Sequence, residues 1–137
     1  MASVNISIAT RNGRQQASSG SKWEPVIGYS RAVKAGNLIF VTGTVGVNAD
    51  GTYPQGIAAQ AKRSLEIIRA AIEALGGKMT DVVRTRMFVS DISLWEELGK
   101  VHGEVFKDIR PATTMVQVAK LIDGPALVEI EADAVVG

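Results

Sequence analysis

The chain has 137 residues, of which 46% are hydrophobic and 21% are charged, and its formal net charge is +1. This length suits one domain with one core, and the small net charge gives little attraction to nucleic acid or membranes. The chain has no cysteine and one histidine, which excludes disulfides, thiol catalysis and a multi-histidine metal site. Its apolar runs are too short to cross a bilayer and it shows no secretory signal, so we predict a cytoplasmic protein.

The first 23 residues are polar and rich in serine and glycine, which predicts a flexible or loosely docked arm. Within it, residues 4–8 alternate between apolar and polar types and could form a short edge strand. Arg11 and Arg14 are too few for a nucleic-acid-binding arm, so a solvated segment is favoured. We therefore assign residues 24–137 to a single domain.

Two strands are predicted next, over residues 27–33 and 38–45, and residues 34–37 between them form a hairpin turn. A helix is predicted over residues 57–75 because its apolar residues recur at steps of three and four and make one stripe. The glycine pair at 76 and 77 ends this helix.

The following strand is predicted over residues 82–89. Ser93 is expected to cap a second helix, because Glu96 lies at the capping-box spacing, and Pro111 prevents that helix from continuing. Two more strands follow, over residues 113–118 and 128–132, separated by an Asp-Gly-Pro turn.

Together these elements predict an α+β fold, in which a six-stranded mixed sheet carries two helices on one face. Two helices can cover only one face of such a sheet, so the other face must find a partner, and oligomerisation is the obvious solution. Glu129 is unusual because it is a carboxylate among apolar strand residues, where an unpaired charge is costly.

Several ordered motifs resemble the RidA family (reactive intermediate deaminase, also called YjgF or L-PSP). The resemblance implies a chorismate mutase-like fold and a cofactor-free homotrimer, in which three sheets form a central barrel with pockets between subunits. It covers residues 28–136 and is carried by residues 28–29, 36–43, 59–61, 87–91, 110–118 and 128–132.

The resemblance assigns candidate roles to residues of the intersubunit pocket. It implies that Glu129 activates the water that attacks an imine carbon, and that Tyr29 and Thr42 offer hydroxyls to the substrate. The alternatives remain open: a carboxylate in a structural ion pair, a half-buried strand aromatic and a satisfied strand threonine. Glu131 is favoured as a structural ion-pair residue.

The chain departs from the family pattern at the residue that follows Pro-Ala. Deaminases of the family carry an Arg there, which binds the substrate carboxylate, whereas this chain has Thr113. Met115 replaces a Cys and Gly99 replaces an Asn, so the expected pocket is less basic and more apolar. Its ligand should depend less on a carboxylate group.

Three other residues could contribute to a site. Arg31 shares a predicted strand face with Tyr29 and could bring a guanidinium to the pocket, and Arg110 is a second possible substitute for the missing Arg. Each is favoured as a surface or interface charge. His102 is favoured as a packing or interface residue, because no triad partner is recognisable.

We therefore expect a RidA-like protein that binds a small organic molecule and hydrolyses an imine or enamine through Glu129. The alternative is a non-catalytic trimer that binds a small ligand or a partner. An endoribonuclease is less favoured because of the low net charge and the single histidine. We predict no metal, no membrane contact and no nucleic acid partner.

Overall fold

The computed structural model describes residues 4–137, which form one mixed sheet covered by helices. The sheet has seven strands in the order β1-β2-β3-β4-β7-β5-β6. The strands are β1 (Ser7–Arg11), β2 (Arg14–Ser18), β3 (Ala32–Ala35), β4 (Leu38–Val45), β5 (Val82–Val89), β6 (Ala112–Gln117) and β7 (Val128–Val135). The helices are α1 (Trp23–Ile27), α2 (Ile57–Ala74) and α3 (Trp95–Phe106), with 3-10 turns at Met79–Asp81 and Ile92–Leu94. The predicted α+β class with a mixed sheet is confirmed.

The prediction of six strands is wrong, because the N-terminal segment supplies two of the seven. Strands β1 and β2 are antiparallel and are joined by Asn12 and Gly13, whose φ angles are 53° and 72°. Positive φ at both positions is what the tight type I′ hairpin turn requires, and Asn-Gly is its preferred sequence. β2 then pairs with β3, so this segment extends the sheet. The first three residues of the predicted arm lie outside the described residues.

Strand β7 lies between β4 and β5 and is antiparallel to both, while β6 pairs with β5 in parallel. Its residues alternate in burial, and the buried set faces the helices and includes Val128 and Ile130. Ile68 of α2 and Leu98 of α3 belong to the same core. The other face of β7 carries Glu129 and the residues at alternate positions after it, and we call this side of the sheet the open face.

Apolar side chains remain exposed on the open face at one end of the sheet. Phe40 is 46% exposed, and Leu38 and its cross-strand partner Val135 are also exposed. Ordinary surfaces tolerate single exposed apolar residues, but a cluster indicates a surface that another molecule could cover. Within residues 4–137 no helix is both long and apolar enough to span a membrane.

The predicted strand over residues 27–33 is wrong except for its last two residues. Residues 23–27 form α1, which ends at Gly28 with a φ of 88°, and β3 begins at Ala32. Val26 and Ile27 are 78% and 57% exposed, so their preference for strands is not supported by packing in a sheet.

The predicted cap of the second helix is also wrong. Ser93 lies inside the 3-10 turn at Ile92–Leu94, and α3 begins at Trp95. The cap of that turn is Asp91, whose Oδ1 accepts hydrogen bonds from the Ser93 backbone N–H at 3.0 Å and from the Ser93 hydroxyl at 2.7 Å.

Candidate functional site

A cleft of about 440 Å³ lies where the N-terminal segment meets β4, β7 and the loop after β4. Tyr29, Arg31, Gly43 and Glu129 line it together. Two residues to which the resemblance assigns roles, Tyr29 and Glu129, therefore lie at one cleft, although they are far apart in sequence.

A β-bulge in β4 shapes the floor of this cleft. The register between β4 and β7 shifts between Val41 and Thr44, so Thr42 and Gly43 lie in an irregular part of the ladder. Bulges of this kind often redirect groups near functional sites. A Cβ atom on Gly43 would lie 2.8 Å from the Glu129 Oε2 atom, so a larger residue at 43 would displace the carboxylate.

Arg31 donates hydrogen bonds to several protein groups at the cleft. Its Nη1 donates to the Gly43 carbonyl at 2.9 Å and to the Thr44 hydroxyl at 3.2 Å, and its Nε donates to the Ser19 hydroxyl at 3.2 Å. Arg31 is only 6% exposed, so the interpretation of this residue as a surface charge is wrong. Its N–H groups hold protein groups, which argues against a direct role in binding substrate.

Glu24 links the N-terminal segment to Arg31. Its Oε2 accepts hydrogen bonds from the Ser19 hydroxyl at 2.8 Å and from the Ser21 backbone N–H at 3.3 Å, and it lies 3.7 Å from the Arg31 Nη2. Burial alone would raise the pKa of Glu24, but hydrogen bonds from Ser18 and Ser19 and the charge of Arg31 together lower it below its ordinary value.

Tyr29 is oriented by the same guanidinium. The Arg31 Nη2 donates to the Tyr29 hydroxyl oxygen at 3.3 Å, and the Arg31 Cζ lies 5.5 Å from the centre of the Tyr29 ring. Because the phenol oxygen accepts from Arg31, its own hydrogen can be donated to a group in the cleft. Tyr29 is thereby suited to bind a carbonyl or an anionic oxygen.

The Glu129 carboxylate is the candidate base. Burial raises the pKa of Glu129, the charge of Arg31 opposes that rise, and the charge of Glu131 adds to it, so that the net shift is upward. A carboxylate with a raised pKa is a better proton acceptor at neutral pH than an ordinary one.

Two other predicted residues are satisfied within the sheet. The Thr42 hydroxyl donates to the Ser30 carbonyl at 2.7 Å, as expected for a structural strand threonine. Glu131 lies 3.4 Å from the Arg86 Nη1, which also approaches Asp133 at 3.5 Å. Glu131 is therefore in an ion pair, as the structural alternative predicts.

Thr113 and Met115 are not brought to this cleft within the chain. They pair with Thr85 and Met87 of β5 and share their face, which is the helix side of the sheet, whereas Glu129 lies on the open face. Arg110 lies just before β6 and is exposed, with a φ of 58°.

His102 makes a contact that its position in the sequence does not reveal. Its Nε2 lies 2.8 Å from the Thr85 hydroxyl oxygen, which is itself 2.7 Å from the Thr113 hydroxyl oxygen. Burial lowers the pKa of His102, which favours the neutral imidazole. No sequence signal joined these residues, because they lie on three different elements.

The far rim of the cleft is closed by a hydrogen bond between two loops. Tyr53 donates to Asp123 Oδ2 at 2.7 Å, and both residues line the cleft. Burial, followed by this hydrogen bond and the charges of Asp123 and Glu129, raises the pKa of Tyr53, so that its hydroxyl remains protonated. Sequence reasoning missed both residues, because they are 70 positions apart.

A family model described as Endoribonuclease L-PSP matches residues 20–136 of this chain. The chain belongs to the RidA/YjgF family. A Mycobacterium tuberculosis structure, described as a member of the YjgF/YER057c/UK114 family, is 49% identical to it. That match covers 90% of this chain and 99% of the other, with a TM-score of 0.84.

Other members are more distant but cover most of the chain. The structure of RidA from an Antarctic Psychrobacter is 35% identical over 80% of this chain and 89% of its own, with a TM-score of 0.76. The Escherichia coli protein named 2-iminobutanoate/2-iminopropanoate deaminase is 35% identical over 111 residues, or 78% of this chain and 84% of its own. The family assignment made from sequence motifs is confirmed.

Proposed function

We propose that this RidA-family chain is a hydrolase of small imines or enamines, in which Glu129 activates water and Tyr29 binds the substrate. The observation that supports this most directly is the Glu129 carboxylate with its raised pKa, packed against Gly43 in the cleft that Tyr29 also lines. The name of the Escherichia coli relative supports the same reaction class.

The chemistry needs one proton acceptor and one hydrogen-bond donor. Glu129 takes a proton from a water molecule as the water oxygen attacks the C=N carbon, and returns it to the nitrogen to give a carbinolamine. Glu129 then accepts the hydroxyl proton and passes it to the nitrogen as the C–N bond breaks, which leaves a carbonyl and ammonia. Tyr29 donates to a substrate oxygen and holds the reacting carbon near the water. This mechanism uses no cofactor.

The pocket is proposed to be completed by a neighbouring subunit in a cytoplasmic homotrimer. Thr113 and Met115 lie on the helix side of edge strand β6, and Glu129 lies on the open face, so one chain does not bring them to the same cleft. A second copy could supply Thr113 and Met115 beside Glu129, and the exposed apolar residues of the open face could be covered in the same assembly.

Thr113 implies a substrate that differs from a 2-imino acid. A threonine hydroxyl in place of a bidentate guanidinium removes on the order of 1.5–3 kcal/mol of carboxylate binding, or about one to two orders of magnitude in affinity. Hydrolysis of 2-iminobutanoate should therefore be slow in the wild type and faster in Thr113→Arg.

The test compares Glu129→Gln with Glu131→Gln, a matched change two residues away on the same face. Both changes are made in the Thr113→Arg variant, which should hydrolyse imines generated in situ by an amino-acid dehydratase, and there Glu129→Gln should lose about 100-fold or more in kcat, because general bases contribute about that much. Glu131→Gln should keep most of the activity, because Glu131 is paired with Arg86. Equal activity of Thr113→Arg with and without Glu129→Gln would disprove the proposal.

A second candidate is a non-catalytic trimer that binds a small ligand or a partner. It is favoured by the occupation of the Arg31 donors with protein groups and by Thr113, since neither offers a free guanidinium to a substrate. Endoribonuclease activity, which the family description names, is less favoured because the net charge of +1 gives little attraction to RNA.

A further inference from the structure

Three polar side chains form a hydrogen-bonded chain from α3 to the edge of the sheet. The His102 Nε2 lies 2.8 Å from the Thr85 hydroxyl, and the Thr85 hydroxyl lies 2.7 Å from the Thr113 hydroxyl. Thr85 is fully buried, whereas Thr113 is exposed on edge strand β6. These hydrogen bonds therefore connect a half-buried imidazole with a hydroxyl at the surface of the subunit.

The two hydrogen bonds must change direction together, because each threonine has one hydroxyl hydrogen to donate. When the His102 Nε2 carries no hydrogen, Thr85 donates to it and Thr113 donates to Thr85, which leaves the Thr113 oxygen to accept from a ligand. When the Nε2 carries a hydrogen, every bond reverses and Thr113 donates outward. The imidazole tautomer thus decides which kind of partner Thr113 can take.

Helix α3 has open space at Gly99, beside the hydrogen-bonded side chains of His102, Thr85 and Thr113. Gly99 precedes His102 by three residues and lies on the same side of the helix. A Cβ atom at Gly99 would have no neighbouring atom within 4 Å, and Trp95, one turn earlier, is 55% exposed. The surface beside Gly99 is therefore open on the side of α3 that carries His102.

We propose that Thr113 binds an uncharged amide or carbonyl group of the ligand, with Thr85 and His102 as positioning residues that set its hydrogen-bonding polarity. This inference rests on the proposed function, which places Thr113 at the intersubunit pocket. A carboxylate would meet a neutral hydroxyl and lose its charge-assisted partner. A primary amide has the same shape but both donates and accepts, so it can pair with Thr113 in either state of the chain.

Two probes that differ only in this group test the proposal. Wild-type protein is titrated with 2-oxobutanamide and with 2-oxobutanoate, and binding is followed by NMR of the backbone amides and of the His102 ring nitrogens. The amide should bind about tenfold more tightly, which corresponds to about 1.4 kcal/mol. Its binding should also shift the His102 Nε2 resonance, which a merely structural histidine would not show.

Single substitutions distinguish the contributions of Thr113 and Thr85. Thr113→Val keeps the side-chain shape, removes the hydroxyl and should abolish the preference for the amide, whereas Thr113→Ser should keep it. Thr85→Val should reduce the preference and remove the His102 signal, with thermal unfolding as the check that the variant is folded. Thr113→Arg should reverse the preference toward the carboxylate.

Several results would overturn this inference: tighter binding of the carboxylate by the wild type, an unchanged preference in Thr113→Val, or no binding of either probe at millimolar concentration. The proposed hydrolysis is tested separately, because Glu129→Gln should retain the preference for the amide while losing turnover. A wild type with the amide preference but without Glu129-dependent hydrolysis would leave the binding inference standing and disprove the catalytic one.

Discussion

The guanidinium of Arg31 joins three parts of the candidate site. It contacts Ser19 in the N-terminal segment, the Gly43 carbonyl at the bulge and the hydroxyl of Tyr29. It is also the positive charge that opposes the upward shift of the Glu129 pKa. Arg31 therefore acts on the cleft through its neighbours, and replacing it would change their positions and the basicity of Glu129 together.

The raised pKa of Glu129 predicts a distinctive dependence on pH. The folded state holds the proton more tightly than the unfolded chain, whose pKa is near the usual 4.5. Ionised Glu129 therefore destabilises the fold, by an amount that is absent below the unfolded pKa and complete above the folded pKa. Glu129→Gln should unfold at a higher temperature than the wild type at pH 7, and this difference in unfolding temperature should vanish at about pH 4.

The same shift should appear in catalysis. If Glu129 is the base, kcat should fall on the acid side with a midpoint above 4.5, because protonated Glu129 cannot accept a proton from water. For the stability prediction, equal unfolding temperatures of the wild type and Glu129→Gln at pH 7 would contradict the desolvation of this carboxylate.

At the residue scale, the sequence indicated the groups that carry charge or a hydroxyl but not the groups that position them. Glu129 stands out because it is a carboxylate in an apolar strand, and Tyr29 stands out through its motif. The partners of Arg31 include a backbone carbonyl at a bulge and a serine 12 residues away, and neither has a sequence pattern. Such contacts depend on the register of several strands, which local propensities do not determine.

At the scale of elements, two glycines test how closely helices approach their neighbours. A Cβ atom on Gly46 would overlap with the backbone carbonyl of Gln60, so α2 lies directly against the residue that follows β4. Gly46→Ala should lower the free energy of unfolding by about 1–3 kcal/mol, as overpacking usually does.

Gly103 provides the matched control, because it lies inside α3 and a Cβ atom there would meet nothing within 4 Å. Gly103→Ala should raise the free energy of unfolding by about 1 kcal/mol, since alanine favours the helix over glycine. Urea unfolding of both variants measures the two effects, and a Gly46→Ala variant as stable as the wild type would contradict the close approach at Gly46.

The elements that the sequence predicted best have strong periodicity. The predicted strands 38–45 and 82–89 agree with β4 and β5, and the helix predicted over 57–75 ends one residue earlier, at Ala74. The hairpin of β1 and β2 was missed because its strands are polar, although Asn12-Gly13 was a usable signal. Helix α1 has five residues, too few to show a helical period.

At the scale of the whole molecule, the open face of the sheet provides a test of the proposed trimer. The wild type should sediment as a single trimeric species at micromolar concentration. Phe40→Asp should reduce that mass, because it places a charge on an apolar surface that the assembly would cover.

Ala74→Asp serves as the control, because Ala74 is exposed at the end of α2, on the other side of the sheet. It should sediment as the wild type does. A wild type that sediments as a stable monomer would disprove both the trimer and the proposed intersubunit pocket.

The position of β7 between β4 and β5 has a consequence for how the protein is made. β7 is synthesised after the other six strands, yet it separates β4 from β5 and pairs with both. While the chain is still being translated, β4 and β5 each have an unpaired edge, and exposed edges of this kind can pair with other chains. The sheet can close only after β7 has left the ribosome. Until then the nascent chain is exposed to misassembly through the unpaired edges of β4 and β5.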